Sequence, residues 1–274
     1  MRVNVKDSIE EKMKTAWKSF YDVSAINENE SVDISKFPFL SQIENNDVVI
    51  FHLNLYGGSL NYVSENVESV LGANRAELMK DGITQLLKQL IPQHISYSSN
   101  VTEMFREVFN SWSSSELLNL RLTVVGLHMI HPEKGEITII NNGIPIEWDK
   151  NHLATKNINL MQDISHLSKN KDYWIRIWST VNSGKVNFFH SNFENNIKKD
   201  ILSTREKEIL ELIIAGKNTG DIAKKLYLSD ITINNHRQNI LDKFGVKNTT
   251  ALTILAGLVG FLKWGNNKTL DIPL

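Results

Sequence analysis

The sequence predicts an α+β chain in two parts, an N-terminal antiparallel sheet with helices followed by an all-α C-terminal segment. Three observations carry that expectation. Apolar runs of strand length, separated by turn residues, recur between residues 47 and 190. After residue 201 the apolar period changes to that of a helix, with capping signals at each start. The charge changes sign at the same place. Residues 1–200 carry 20 Lys+Arg against 24 Asp+Glu, a net of −4, and residues 201–274 carry 10 against 7, a net of +3. A modestly basic small domain is compatible with an anionic partner such as nucleic acid.

At 274 residues, with 41% hydrophobic and 22% charged residues, the chain has the length of two domains and ordinary soluble composition. It contains no cysteine, which removes disulfide scaffolds, thiolate metal sites, cysteine nucleophiles and cysteinyl-flavin adducts. Its longest apolar stretch, Ala251 to Leu262, falls short of the roughly 20 residues of a membrane span, so a cytoplasmic protein without membrane association is expected.

Taken in order, Ile9, Met13, Ala16, Trp17 and Phe20 have helical spacing and predict an amphipathic helix over Val5–Val23, followed by a polar connector. The runs VVIFHLNL and SLNYVS around Gly57-Gly58 predict a hairpin. A short helix ends at Gly72, Asn74 caps the next, and a longer helix is expected from about His94 to Trp112. Three long strands follow, Leu117–Ile130, Ile137–Trp148 and Leu153–Ile164, with turns at Pro132–Gly135 and Asp149–Asn151. Tyr173–Thr180 and Lys185–His190 form one more hairpin, and Ser191–Asp200 reads as a linker.

This order of elements resembles a PAS sensor domain over roughly residues 45–166. The matching residues are Tyr62–Val67 with Leu71-Gly72, Ile91-Pro92, and the closing Gln162-Asp163-Ile164-Ser165. Where that family often has His-Pro-x-Asp, this chain has Ile91-Pro92-Gln93-His94. The divisions expected are therefore 1–40 (helix and connector), 41–167 (PAS-like sensor or dimerisation domain), 168–200 (extra hairpin and linker) and 201–274. Phe51, Leu53, Tyr62, Val70, Leu86, Phe105, Leu120, Ile139 and Met161 are candidates to line a small-molecule cavity, with plain core as the alternative. Of the histidines, His94 is the best placed to hold a haem, although nothing in the sequence supports a cofactor.

The C-terminal segment is sharper. Ser203-Thr204-Arg205-Glu206 is a capping box, Gly216 closes that helix, Asn218 opens a second, and Ser229 caps a third reaching about Phe244. At 100° per residue, Ile240 and Phe244 fall within about 20° of Ile233, while Asn235, Gln238 and Asp242 cluster opposite, flanked by Asn234 and Asn239. Amides gain little for an exposed helix face, yet their donor and acceptor match the adenine N6/N7 edge. Two helices joined by the tight turn Tyr227-Leu228, the second polar outward, follow helix-turn-helix logic.

Leu202–Leu210, Gly216, Ile222–Leu226, Ser229-x-x-Thr232-Ile233-x-x-His236, Asn239-Ile240-x-x-Lys243-Phe244 and Val246-x-Asn248 together resemble the DNA-binding domain of LuxR-type regulators. The resemblance implies a four-helix domain that binds double-stranded DNA as a homodimer. The third helix would enter the major groove, and a fourth, about Thr249–Leu262, would pack behind it or at the dimer contact. RNA polymerase is a further partner compatible with that class. Asn234, Asn235 and Gln238 stand where the family reads bases, and Thr232, Lys243 and the surroundings of Asn248 stand near phosphates. Arg237, Asn239, Lys224 and Lys225 complete the implied DNA-binding set. The family usually has arginine where this chain has Thr249, and Asp242 would repel a close phosphate, so the end of the helix is expected to rise from the groove.

His128 and His131 sit three apart on a strand, pointing to opposite faces, and do not make a chelating pair. No P-loop, HExxH or GxSxG motif is present and no catalytic constellation assembles, so the chain is expected not to be an enzyme. The alternative to a DNA-binding regulator is a sensor or interaction protein acting through a partner protein.

Overall fold

The computed structural model describes residues 47–94, 96–182, 186–191 and 201–260. The helix expected over Val5–Val23, its connector and nearly all of the expected linker lie outside these residues. The chain divides into two compact units, Met1–His166 with Lys171–Asp200, and Leu167–Asn170 with Ile201–Leu274.

In the first unit, β1 (Val48–Asn54) and β2 (Leu60–Val63) form the expected hairpin. They are followed by α1 (Val67–Leu71), α2 (Arg75–Asp81), α3 (Thr84–Leu87), a 3-10 turn (Pro92–His94), α4 (Tyr97–Ser111) and α5 (Ser114–Leu118). β3 (Leu120–His131), β4 (Gly135–Trp148), β5 (Ala154–Asp163), β6 (Trp174–Ser179) and β7 (Val186–His190) complete it. All seven strands make one antiparallel sheet in the order β2-β1-β5-β4-β3-β6-β7. The hairpin expected to lie beyond the sensor core instead extends the same sheet, because β6 pairs with the free edge of β3, from Leu120↔Ser179 to Val125↔Trp174.

Two local corrections have clear causes. The strand expected from Leu117 begins only at Leu120, because Ser113 and Glu116 make a full capping box that commits Leu117 and Leu118 to α5. The helix expected from about His94 starts at Tyr97, after the 3-10 turn. Asn74 caps α2 as expected, its side chain accepting from the Glu77 N–H at 3.0 Å.

Within β3 the alternation breaks at Gly126, which adopts φ +86 at a register shift against β4. A Cβ there would lie 2.3 Å from the Asp172 carbonyl, so both conformation and space require glycine. The bulge changes which parity faces the helices: Leu122 and Val124 before it share a core with Leu127 and Met129 after it. That core, with Phe51, Ile139, Leu78, Met104 and Val108, lies between the sheet and helices α1 to α5. The other sheet face is buried too, at Ile50, Ile140, Trp174 and Phe188.

His52 sits on that second face, 2% exposed, and neither ring nitrogen has a hydrogen-bond partner among the described residues. Burial, reinforced by the Lys156 cation and opposed by Glu147, lowers its pKa from 6.5 to about 4. The unfolded chain therefore binds a proton between about pH 6.5 and 4 that the fold refuses, and stability falls as the pH drops through that window. The loss amounts to on the order of 2–3 kcal/mol. We expect His52→Leu to flatten the decline by that amount. Urea midpoints followed by tryptophan fluorescence at pH 7.5 and 4.5 check this, and parallel declines for both proteins would refute it.

Candidate nucleic-acid interface

The second unit contains α6 (Thr204–Ile214), α7 (Thr219–Leu226), α8 (Asp230–Phe244) and α9 (Thr249–Leu258). The first three starts are capped as the sequence predicts, and Asn248 caps the fourth. The Ser203 hydroxyl accepts from the Glu206 amide while Glu206 accepts from the Ser203 N–H at 2.8 Å. Asn218, Ser229 and Asn248 accept from the amides three residues on, at 2.9, 3.1 and 2.9 Å. Gly216, at φ +75, follows the end of α6, and the Lys217 N–H reaches back to the Leu212 carbonyl. Ile209, Ile222, Ile233 and Ile240 are fully buried and join the helices over one core.

α7 and α8 meet at Tyr227-Leu228-Ser229. Tyr227 takes a left-handed conformation, φ 55 and ψ 43, and its amide and that of Leu228 both bond the Ala223 carbonyl, closing α7 in a single tight turn. Buried Ala223 adds little bulk at that junction.

The outward sector of α8 carries Asn234, Asn235, Gln238 and Asn239, all exposed. The Asn234 carbonyl accepts from the Thr219 hydroxyl at 3.1 Å, which ties its side chain to the first turn of α7. Gln238 donates to Asp242 at 2.9 Å, one turn on, an exposed contact of small energetic weight. Thr232 is half-buried, its hydroxyl 2.8 Å from that of Ser229. Lys224 and Lys225 are exposed on the last turn of α7.

Two residues of the expected set point elsewhere. Lys243 Nζ lies 2.6 and 2.8 Å from the carboxylate oxygens of Glu206, which is only 4% exposed. Burial raises the Glu206 pKa, but Lys243 and the Ser203 cap outweigh it and leave the carboxyl below its ordinary value. Arg237 donates to Thr249 Oγ1 at 3.1 Å, and its buried Nη1 has no partner among the described residues. The departure at Thr249 thus has an internal use as the acceptor for this guanidinium. Both cations lie on the flanks of the buried stripe, so neither faces outward with the amides.

Ile231 and Tyr227 are missing from the expected set, yet they are 74% and 94% exposed. Ile231 falls at about 160° from Ile233 on the helical projection, amid Asn234, Asn235 and Gln238. The projection that marked the amides marks this apolar residue among them as well.

In the first unit a cavity of about 120 Å³ is lined by Leu53, Leu86, Phe105, Ile139 and Met161 of the expected set, among others. Phe51, Tyr62 and Val70 do not reach it, and Leu120 lines a smaller neighbouring space. His94 does not fit a haem ligand, because one ring nitrogen is 2.7 Å from the Lys171 carbonyl and the other accepts from the His128 amide at 3.0 Å. His128 pairs with Glu136 and His131 accepts from the turn amides of Glu133 and Lys134, so each has its own local partners. Among the described residues, no helix is long and apolar enough to cross a membrane.

The family described as bacterial regulatory proteins of the luxR family matches residues 200–256. The spore germination protein GerE of Bacillus subtilis is 43% identical over 49 residues, 18% of this chain and 66% of that one. The quorum-sensing regulator RhlR of Pseudomonas aeruginosa is 41% identical over 61 residues, 22% of this chain and 25% of that one. The chain thus spans less than two thirds of the length of the curated relatives it matches. A solved LuxR-type receptor, Vibrio cholerae VqmA, is 18% identical, covering 82% of this chain and 88% of its own, at a TM-score of 0.30.

Lys243→Ala should act on stability and not on DNA. It leaves the buried Glu206 carboxylate without its cation and should cost about 1–3 kcal/mol in thermal or urea unfolding. The salt dependence of DNA binding should stay unchanged. A salt slope reduced by about one with no loss of stability would restore the phosphate-contacting role.

Proposed function

With residues 200–256 forming a luxR-family helix-turn-helix domain, we propose that the protein is a sequence-specific, DNA-binding transcriptional regulator that works as a homodimer in the cytoplasm and has no catalytic activity. The observation that carries this reading is the outward sector of α8, where exposed amides surround an exposed isoleucine on a helix locked behind a tight turn. Asn234, Asn235 and Gln238 supply the donor and acceptor pairs that suit adenine edges, and Ile231 supplies an apolar contact for the thymine methyl. Lys224, Lys225 and Thr232 take phosphates, with Asn239 at the rim of the same sector. The first unit senses a signal or holds the dimer together, and RNA polymerase is the partner through which such a regulator acts.

Two copies would place their α8 helices about 34 Å apart, matching half-sites one helical turn apart. The test is selection of bound DNA from a random pool by the intact protein and by an Asn234→Ala/Gln238→Ala variant. A two-fold symmetric motif rich in A·T pairs, lost in the variant, is expected. If the intact protein enriches nothing, the reading fails and a protein partner for the same surface takes its place.

Single substitutions should separate the roles. Gln238→Ala should relax preference at one base pair and cost about 1–3 kcal/mol there, and Ile231→Ser should remove discrimination at a thymine. Lys224→Ala with Lys225→Ala should weaken all sequences alike and lower the salt slope by about two. Binding titrations on matched and mismatched duplexes at several salt concentrations check all three.

A further inference from the structure

We infer that Lys169, which lies outside the helix-turn-helix sequence, belongs to the DNA-contacting surface, where it cancels the carboxylate of Asp242 in the reading sector of α8 and offers its remaining donors to a backbone phosphate. The inference rests on the reading of the second unit as a DNA-binding domain and adds to it a cation that the outward sector of α8 lacks.

Leu167–Asn170 belongs to the second unit, although His166 before it and Lys171 after it belong to the first. Two backbone hydrogen bonds hold this segment against the turn that closes α8. The Lys169 N–H donates to the Gly245 carbonyl at 2.8 Å, and the Lys247 N–H donates to the Leu167 carbonyl at 3.1 Å. Ser168 and Val246 are thereby paired as in an antiparallel ladder. Leu167 and Val246 are both buried, so hydrocarbon packing adds to the pairing. Gly245, at φ +67, gives the segment room, since a Cβ there would lie 3.0 Å from Asn170 Oδ1. The backbone of Lys169 is thus fixed beside the last turn of α8 whatever its side chain does.

From that position Lys169 Nζ lies 2.7 Å from Asp242 Oδ1. The same oxygen accepts from Gln238 Nε2 at 2.9 Å, so one carboxylate joins the cation to a residue proposed to read bases. Asp242 falls at about 180° from Ile233 on the helical projection and Gln238 at about 140°, both in the outward sector. Left uncompensated, the Asp242 charge would repel the phosphates flanking a groove that α8 entered. Lys243 is committed to Glu206, and Arg237 turns toward Thr249. Lys169 is the cation set against Asp242.

A lysine ammonium carries three donors, and Asp242 takes one of them. The side chains of Lys169 and Asp242 are 45% and 51% exposed, which leaves the other donors open to an approaching phosphate. An ion pair so exposed adds little to folding, whereas a cation at a phosphate contributes a full counterion-release increment to DNA binding. The placement therefore serves binding more than stability.

The test uses the full chain in polarisation titrations of two labelled duplexes, one carrying the selected motif and one of random sequence, at several salt concentrations. Lys169→Gln should weaken both duplexes about tenfold at 0.1 M salt and lower the salt slope by about one, with little change in thermal midpoint. Lys169→Arg should keep the slope of the unaltered protein. Adding Asp242→Asn to Lys169→Gln should recover part of the affinity, by removing the uncovered carboxylate, without restoring the slope. Lys169→Ala, expected to act as Lys169→Gln does, decides the matter if that variant does not fold. An unchanged slope in a folded Lys169→Gln protein, or a loss confined to the selected motif, would overturn the proposal. If the unaltered protein binds neither duplex, the proposal falls together with the regulator reading; if it binds both and Lys169→Gln matches it, the proposal falls alone.

Discussion

The buried carboxylate of Glu206 is the fixed point on which the C-terminal unit depends. It accepts from the Ser203 backbone at the start of α6 and takes Lys243 from the last turn of α8. One side chain therefore caps one helix and anchors another across 37 residues of sequence. At the other end of α8, Ser229 and the left-handed Tyr227 set where the helix begins. A helix held at both ends, with Ile233, Ile240 and Phe244 buried along its length, cannot roll. The azimuth of its amide sector follows from those anchors, so on the proposed reading the identity of Glu206 matters to recognition from outside the reading face.

The legible parts of the sequence were those in which local chemistry and hydrophobic period agree. The caps at Ser203, Asn218 and Ser229, the face of α8 and the hairpin around Gly57-Gly58 all belong to this class. Gly126 shows why the long strand was only partly legible. A single residue with positive φ exchanges the inward and outward positions of everything after it, and no periodicity count anticipates that. The capping box at Ser113 was present in the letters, but Leu117 and Leu118 also suited the start of an apolar strand.

The candidate site divides in the same way. Arg237 lies about 40° from Ile233 on the projection, so its inward turn toward Thr249 was readable. The attachment of Lys243 was not, because its partner comes from another helix. Lys169 looks like part of an ordinary polar stretch between β5 and β6. Only the pairing of its segment with the turn after α8 brings it beside Asp242.

The inward turn of both basic residues of α8 has a consequence for how such a protein would hold DNA. Its outward sector offers amides, an isoleucine and the carboxylate of Asp242, none of which releases counterions from a phosphate backbone. The long-range attraction falls to exposed lysines such as Lys224 and Lys225 and to the small net positive charge of residues 201–274. One such domain would discriminate between bases better than it would bind them. Two domains on adjacent half-sites would multiply the weak term, since the second binds as an intramolecular event once the first is seated. The chemistry of the recognition face thus makes association of two copies the main source of affinity on the proposed reading. Anything that alters how the copies are held would then control DNA binding without touching a reading residue.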